Sequence, residues 1–141
     1  MKIYPIVKGL YTSARTAVLT PKEKKELIKK YALSAVVNLW HTKDSAIESM
    51  CEVYIHCPMS DGRRIDTERV DQTAAAINKL LDEEKNVLVH CYGGRNRAGL
   101  VCCTAMMQRY KISGDEAVDK FISARPNALV NKNFVAYLIG K

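Results

Sequence analysis

Apolar and polar positions follow two different periods along the chain. "SAVVNLW" (Ser34–Trp40), "EVYIHC" (Glu52–Cys57) and "NVLVH" (Asn86–His90) are short, nearly continuous apolar runs ending in loop residues. Strands buried on both faces read this way. From Asp66 the period lengthens. Val70, Ala74, Ile77 and Leu81 recur at helical spacing with charged residues between them, which predicts a helix from Asp66 to about Glu84. A further helix, from about Arg97 to Tyr110, is apolar nearly all round (Leu100, Val101, Cys102, Cys103, Met106, Met107) and therefore belongs in the core. Start signals place the others. Thr20-Pro21-Lys22-Glu23 combines an N-cap, a proline at the first helical position and a capping-box glutamate, so a helix runs to about Tyr31. Ser113-Gly114-Asp115-Glu116 is a second box, opening a helix that ends before Pro126, and a last helix runs from about Asn131 to the end of the sequence. "KIYPIVKGLYTSA" (Lys2–Ala14) reads as two short strands broken at Gly9, an edge hairpin.

Strands that alternate with helices and are continuously apolar specify an α/β architecture. The expectation is a single domain over residues 1–141, with a central, mainly parallel sheet of about four to five strands and helices on both faces. No linker, repeat or low-complexity segment divides it. Ligands of such sheets bind beyond the carboxyl ends of the strands. The loops after Trp40, Cys57 and His90 should therefore share one rim.

Composition adds three things. A chain of 141 residues, 48% hydrophobic and 26% charged, can bury a core without covalent staples. No run is long enough to span a bilayer, and "MKIYPIVKG" lacks the apolar middle of a signal peptide. Five scattered cysteines, an odd number, argue against a disulfide framework. A cytoplasmic location is expected. The formal charge of +7 attracts polyanions, a class that includes nucleic acid, inositol phosphates and phosphoproteins.

The candidate chemistry lies in "VLVHCYGGRNRAG" (Val87–Gly99). A strand ending at His90 feeds a short loop into the helix at Arg97, so loop amides and helix N-terminus converge into an anion site. Gly93 and Gly94 are expected to supply the positive φ angles of that nest. Cys91 stands at its base, where amide dipoles and a guanidinium favour a thiolate. Arg97 can fork across two oxygens of a phosphate held by Tyr92, Gly93, Gly94, Arg95 and Asn96. Thiolate, cradle and guanidinium together describe a nucleophile aimed at phosphorus. A phosphate ester attacked by sulfur also needs a proton for its leaving oxygen. Asp61, in the loop after Cys57 and on the same rim, is the favoured donor. Asp66 is its competitor, but a capping role at the start of a helix accounts for it.

His-Cys, five residues, then Arg resembles the signature loop of the cysteine-dependent protein phosphatases, and the short chain resembles their small dual-specificity branch. "GLYTSAR" (Gly9–Arg15) is similar to that family's opening strand, "AVVNLW" to its second, "HCPMSDG" (His56–Gly62) to its acid-bearing loop, and "AVDKFISARPNALVNKNFVAYL" (Ala117–Leu138) to its closing helices. The resemblance implies hydrolysis of phosphotyrosine, and of phosphoserine and phosphothreonine, through a phosphocysteine on Cys91, with Arg97 binding phosphate and Asp61 as acid. It implies no metal and no organic cofactor, and a phosphorylated protein or other phosphate monoester as substrate. RNA 5′-triphosphatases and phosphoinositide phosphatases of the same fold are the alternatives, and Arg95 and Asn96 are the residues that bring them in. One departure stands out. The family usually follows its arginine with serine or threonine, whose hydroxyl helps the thiolate leave, and this chain has Ala98. A slower second half-reaction is expected, and its extreme would be a phosphate-binding module without turnover. Arsenate reduction shares the loop but needs a resolving cysteine within reach.

Other residues carry weaker signals. Trp40 and His41 end a strand on the active rim and are candidates to line the pocket. Arg63 and Arg64 read as solvated loop charges, and Lys22, Lys25 and Lys29 as the wet side of the first helix. Cys51, His56, Cys57 and His90 match no zinc spacing, so no metal is expected. Cys102 and Cys103 are expected to be packing residues. Nothing in the chain specifies an oligomeric state.

Overall fold

The computed structural model describes residues 1–141. The N-terminal hairpin forms as expected: β1 (Ile3–Val7) and β2 (Leu10–Ser13) pair antiparallel, and Gly9 takes φ +81° in the turn between them. β3 (Leu33–Asn38), β4 (Val53–His56) and β5 (Asn86–His90) complete one five-stranded sheet in the order β1-β2-β5-β3-β4. Every pairing except β1 with β2 is parallel. The sheet is thus a parallel core with one antiparallel edge strand.

Six helices cover it. α1 (Pro21–Lys30) begins at the expected capping box, with Thr20 and Glu23 exchanging hydrogen bonds. α2 (Ser45–Glu48) is a single turn with no sequence period to announce it. α3 (Thr67–Asp82), α4 (Arg97–Tyr110), α5 (Gly114–Ala124) and α6 (Lys132–Ile139) follow. Asp66 caps α3 and accepts from the Arg69 amide at 3.1 Å. Successive strand residues feed opposite layers. Ala35, Val37, Val87 and Val89 pack with α3 to α6, whereas Val36 and Leu88 pack with Leu27 of α1 and Ile47 of α2. The first layer holds 26 buried residues and the second five, so most burial lies on the α3–α6 side. α4 is buried continuously from Ala98 to Met106, as its all-round apolar pattern requires.

One expectation needs correction and one residue escaped notice. The run "SAVVNLW" stays a strand only to Asn38, because the Asn38 side chain takes over the local backbone. It accepts from the Trp40 amide at 2.8 Å and donates to Thr42 O at 2.9 Å, which turns the chain out of the sheet. Lys22, Lys25 and Lys29 are exposed as expected, but α1 also carries an inward lysine that the sequence reading did not single out. Lys24, between Lys22 and Lys25, is only 6% exposed. Its Nζ lies 2.8 Å from Asp44 Oδ1, and Thr16 Oγ1 donates to Asp44 Oδ2 at 2.7 Å. Asp44 also caps α2 by accepting from the Ile47 amide. Burial raises the Asp44 pKa, but hydrogen bonds from Lys24, Thr16 and Ile47 outweigh it and leave the carboxyl below its usual range.

Removing one member of such a pair strands the other charge in the interior. Asp44→Ala is expected to lower unfolding free energy by about 3–5 kcal/mol in urea titrations at neutral pH.

Candidate active site

β5 delivers His90 and Cys91 to the carboxyl edge of the sheet, between β2 and β3. The register pairs His90 with Ser13 on one side and with Asn38 on the other. Cys91 is 2% exposed and packs into the core, yet it lines the floor of a hollow of about 560 Å³. Trp40, His41, Asp61, Tyr92, Gly93, Arg95, Asn96 and Arg97 make up the rest of that wall.

The loop from Tyr92 to Asn96 is held by its carbonyls from outside. Tyr92 O accepts from the Arg15 amide at 3.1 Å, Gly93 O from Arg125 Nη2 at 3.1 Å, and Arg95 O from the Leu129 amide at 3.2 Å. None of the loop's own amides, Tyr92 to Asn96, donates a hydrogen bond within the protein. These amides join the free N–H groups at the start of α4, where the helix dipole is positive. Such a set of donors binds an oxyanion.

Of the two glycines, only Gly94 has the expected left-handed backbone, φ +70°. A Cβ there would sit 2.3 Å from Ser13 O, so the loop is also pressed against the end of β2. Gly93 has no positive φ, and a Cβ would meet nothing nearer than Arg95 Cδ at 3.6 Å. The backbone does not demand glycine at that position.

Arg97 points into the hollow's wall toward the loop after β4. Its Nη1 donates to Met59 O at 3.3 Å, while Nε is buried without a partner. A buried donor left unpaired is costly unless it has a further acceptor to meet. Arg95 is fixed by its Nε on Asn127 O at 2.7 Å. The clasping segment is bent to allow this, with Asn127 and Leu129 both in the left-handed region at φ 64° and 53°. For leucine this conformation costs on the order of 1 kcal/mol.

Asp61 is exposed and stands in the hollow, whereas Asp66 lies outside it with its carboxylate committed to α3. Trp40 and His41 also line the hollow. Trp40 stands edge-on to Tyr92, with ring centres 5.9 Å apart. Arg63 and Arg64 are exposed outside it. The four residues weighed as a zinc set are separately engaged. His56 Nε2 donates to Trp40 O at 2.7 Å, Cys51 Sγ to Val53 O at 3.2 Å, and Cys57 Sγ accepts from Thr73 at 3.5 Å. His90 faces Thr16 Oγ1 at 3.5 Å. Cys102 and Cys103 are fully buried, and burial pushes both thiols up.

Three residues that hold the site together were not singled out as site residues from the sequence. Arg15 follows β2, binds Tyr92 O through its amide and stacks its guanidinium 3.9 Å from the Tyr92 ring centre. Arg125 and Asn131 reach the site from the α5 and α6 ends of the chain. For Arg15, the register of β2 against β5 would have sufficed, since it puts the residues after Ser13 beside Cys91.

His90, almost wholly buried beside Cys91, has its pKa lowered to about 4, chiefly by desolvation of the imidazolium. The folded protein then binds the proton less readily than the unfolded chain. Stability should fall as pH drops from about 6.5 to about 4, by up to about 3 kcal/mol, and level off outside that window for this group. Urea titrations across that range should show the slope, and His90→Gln should flatten it.

A model of the dual specificity phosphatase catalytic domain matches residues 18–141. A probable dual specificity protein phosphatase of Dictyostelium discoideum is 26% identical over 141 residues, covering 97% of this chain and 32% of that protein. Dual specificity protein phosphatase 12 of Mus musculus is 25% identical over 127 residues, covering 89% of this chain and 37% of the mouse protein. The chain spans about a third of the length of the curated relatives it matches. Among solved structures, Tk-PTP in its active form superimposes with a TM-score of 0.82 at 22% identity, over 99% of this chain and 97% of that one. A likeness at that identity establishes the fold.

Proposed function

The chain belongs to the dual specificity phosphatase family, and from that premise we propose that it hydrolyses phosphate monoesters on proteins through a phosphocysteine. The observation that carries this reading is the inverted loop. A buried thiol lies under a ring of amides, and three of the loop's carbonyls, those of Tyr92, Gly93 and Arg95, are tied to groups outside it. Cys91 Sγ attacks phosphorus in line with the departing oxygen. The loop amides and Arg97 hold the equatorial oxygens, where charge develops in the transition state. Asp61 gives its proton to the leaving oxygen, then takes one from the water that cleaves the sulfur–phosphorus bond. Thiolate leaves, and inorganic phosphate is released. No step calls on a metal or an organic cofactor.

Phosphotyrosine is the favoured substrate, with phosphoserine and phosphothreonine accepted as well. The Trp40, His41 and Tyr92 side of the hollow offers aromatic surface to a phenyl ring, and the net positive charge favours anionic segments around the phosphorylated residue. All 141 residues read as one catalytic domain. No helix is long and apolar enough to cross a membrane, and the odd cysteine count supports a reducing compartment, the cytoplasm.

Turnover of an aryl phosphate and of phosphotyrosine, phosphoserine and phosphothreonine peptides tests the reading directly. Cys91→Ser should abolish all of them, and Asp61→Asn should lower them by about a hundredfold. Activity surviving in Cys91→Ser would refute the mechanism.

Ala98 is wholly buried, and no serine or threonine lines the hollow. Without a hydroxyl for the departing thiolate, breakdown of the phosphoenzyme should limit turnover. Rapid quench with an activated aryl phosphate should show a burst. Ala98→Ser should raise the steady-state rate by about ten- to a hundredfold and shrink the burst.

A further inference from the structure

Asp61 is an exposed loop carboxyl, yet each of its oxygens is held by a different part of the chain. Asn96 Nδ2, from the end of the phosphate loop, donates to Oδ2 at 3.0 Å. Asn131 Nδ2, from the start of α6, donates to Oδ1 at 2.7 Å and also approaches Gly62 O at 3.2 Å. The Asn131 amide nitrogen donates to Asn96 Oδ1 at 3.1 Å, which closes the three residues into a ring.

Asn131 cannot leave this ring by flipping its side-chain amide. Its Oδ1 is the N-cap of α6, accepting from the Asn133 and Phe134 amides at 3.0 and 3.3 Å. A flip would set Nδ2 against two donors. Phe134, 1% exposed, anchors that first turn in the core. The rigid end of a helix therefore aims one neutral donor at the carboxyl. A neutral amide orients a carboxylate without supplying the charge that a lysine or arginine would.

We propose that Asn131 is the positioning residue for the proton donor, holding Asp61 over the hollow through Oδ1. Asn96 releases Oδ2, that oxygen carries the proton, and the proton passes to the leaving oxygen of the ester. The proposal rests on the reading of Asp61 as the acid. Ordering a surface carboxyl by a fixed neighbour raises the fraction of time it stands within reach of the departing group.

The test uses kcat/KM for two substrates, phenyl phosphate, whose leaving group needs a proton, and 2,4-dinitrophenyl phosphate, whose leaving group does not. Asn131→Ser keeps a capping oxygen but is too short to reach Asp61, and Asn131→Asp keeps the cap while turning the donor into a second carboxylate. Asp61→Asn should lose about a hundredfold on phenyl phosphate and little on the dinitrophenyl ester. Asn131→Ser should lose about tenfold on phenyl phosphate alone, with an unchanged thermal midpoint, and Asn131→Asp at least as much. Should Asn131→Ser fail to fold, Asn131→Asp carries the same comparison. An equal loss on both substrates, or no loss, in the Asn131 variants while Asp61→Asn remains selective would overturn the proposal and leave the acid in place. No selectivity in Asp61→Asn would overturn both.

Discussion

The structure around Cys91 depends on one constraint: a loop between a buried strand and a helix must turn its carbonyls outward and its amides inward. Left to itself, such a loop would pair its N–H groups with water or with its own carbonyls. Here the Tyr92, Gly93 and Arg95 carbonyls are taken by Arg15, near the start of the chain, and by Arg125 and the Leu129 amide, both in the connection between α5 and α6. Gly94, lying against Ser13 with φ +70°, is the point where no side chain fits. The amides are thereby left for an anion, and the helix dipole of α4 acts in the same direction.

The rest of the fold serves that loop. Parallel pairing of β5 with β2 and β3 brings the chain ends of all three strands to one edge, so Arg15, Trp40 and Cys91 become neighbours. The buried helix α4 fixes the loop's exit, and Gly99 leaves room for Leu129, whose amide holds Arg95 O. Behind the loop, His90, Thr16, Asp44 and Lys24 form a buried polar cluster linking β5 to α1 and α2. Hydrogen bonds hold the Asp44 charge in this cluster against its burial, while the burial that keeps His90 neutral makes the fold sensitive to acid.

Charge and neutrality are divided between the two sides of the hollow. The loop side carries Arg95 and Arg97, with Arg15 stacked at its rim. The Asp61 side is built from uncharged amides around a single carboxyl. This division suits the proposed reaction, in which one side binds a permanent anion and the other gives up a proton and takes it back.

Read alone, the sequence determined the parallel α/β sheet, the boundaries of most helices, the capping boxes and the Cys91–Arg97 loop. Each of these rests on local information: hydrophobic period, cap chemistry, or the spacing of residues six apart. It also assigned Asp66 to the cap of α3, because that cap is a local signature. Only the tertiary structure decided what holds those parts in place. Lys24 looks like any lysine of a wet helix face until Asp44, 20 residues on, meets it in the interior. Asn131 is legible as a helix cap, but its grip on Asp61 spans 70 residues of chain. Arg15 and Arg125 reach the loop's carbonyls from 77 and 32 residues away. Such contacts leave no periodic trace, because they are set by strand register and helix packing rather than by neighbours in sequence.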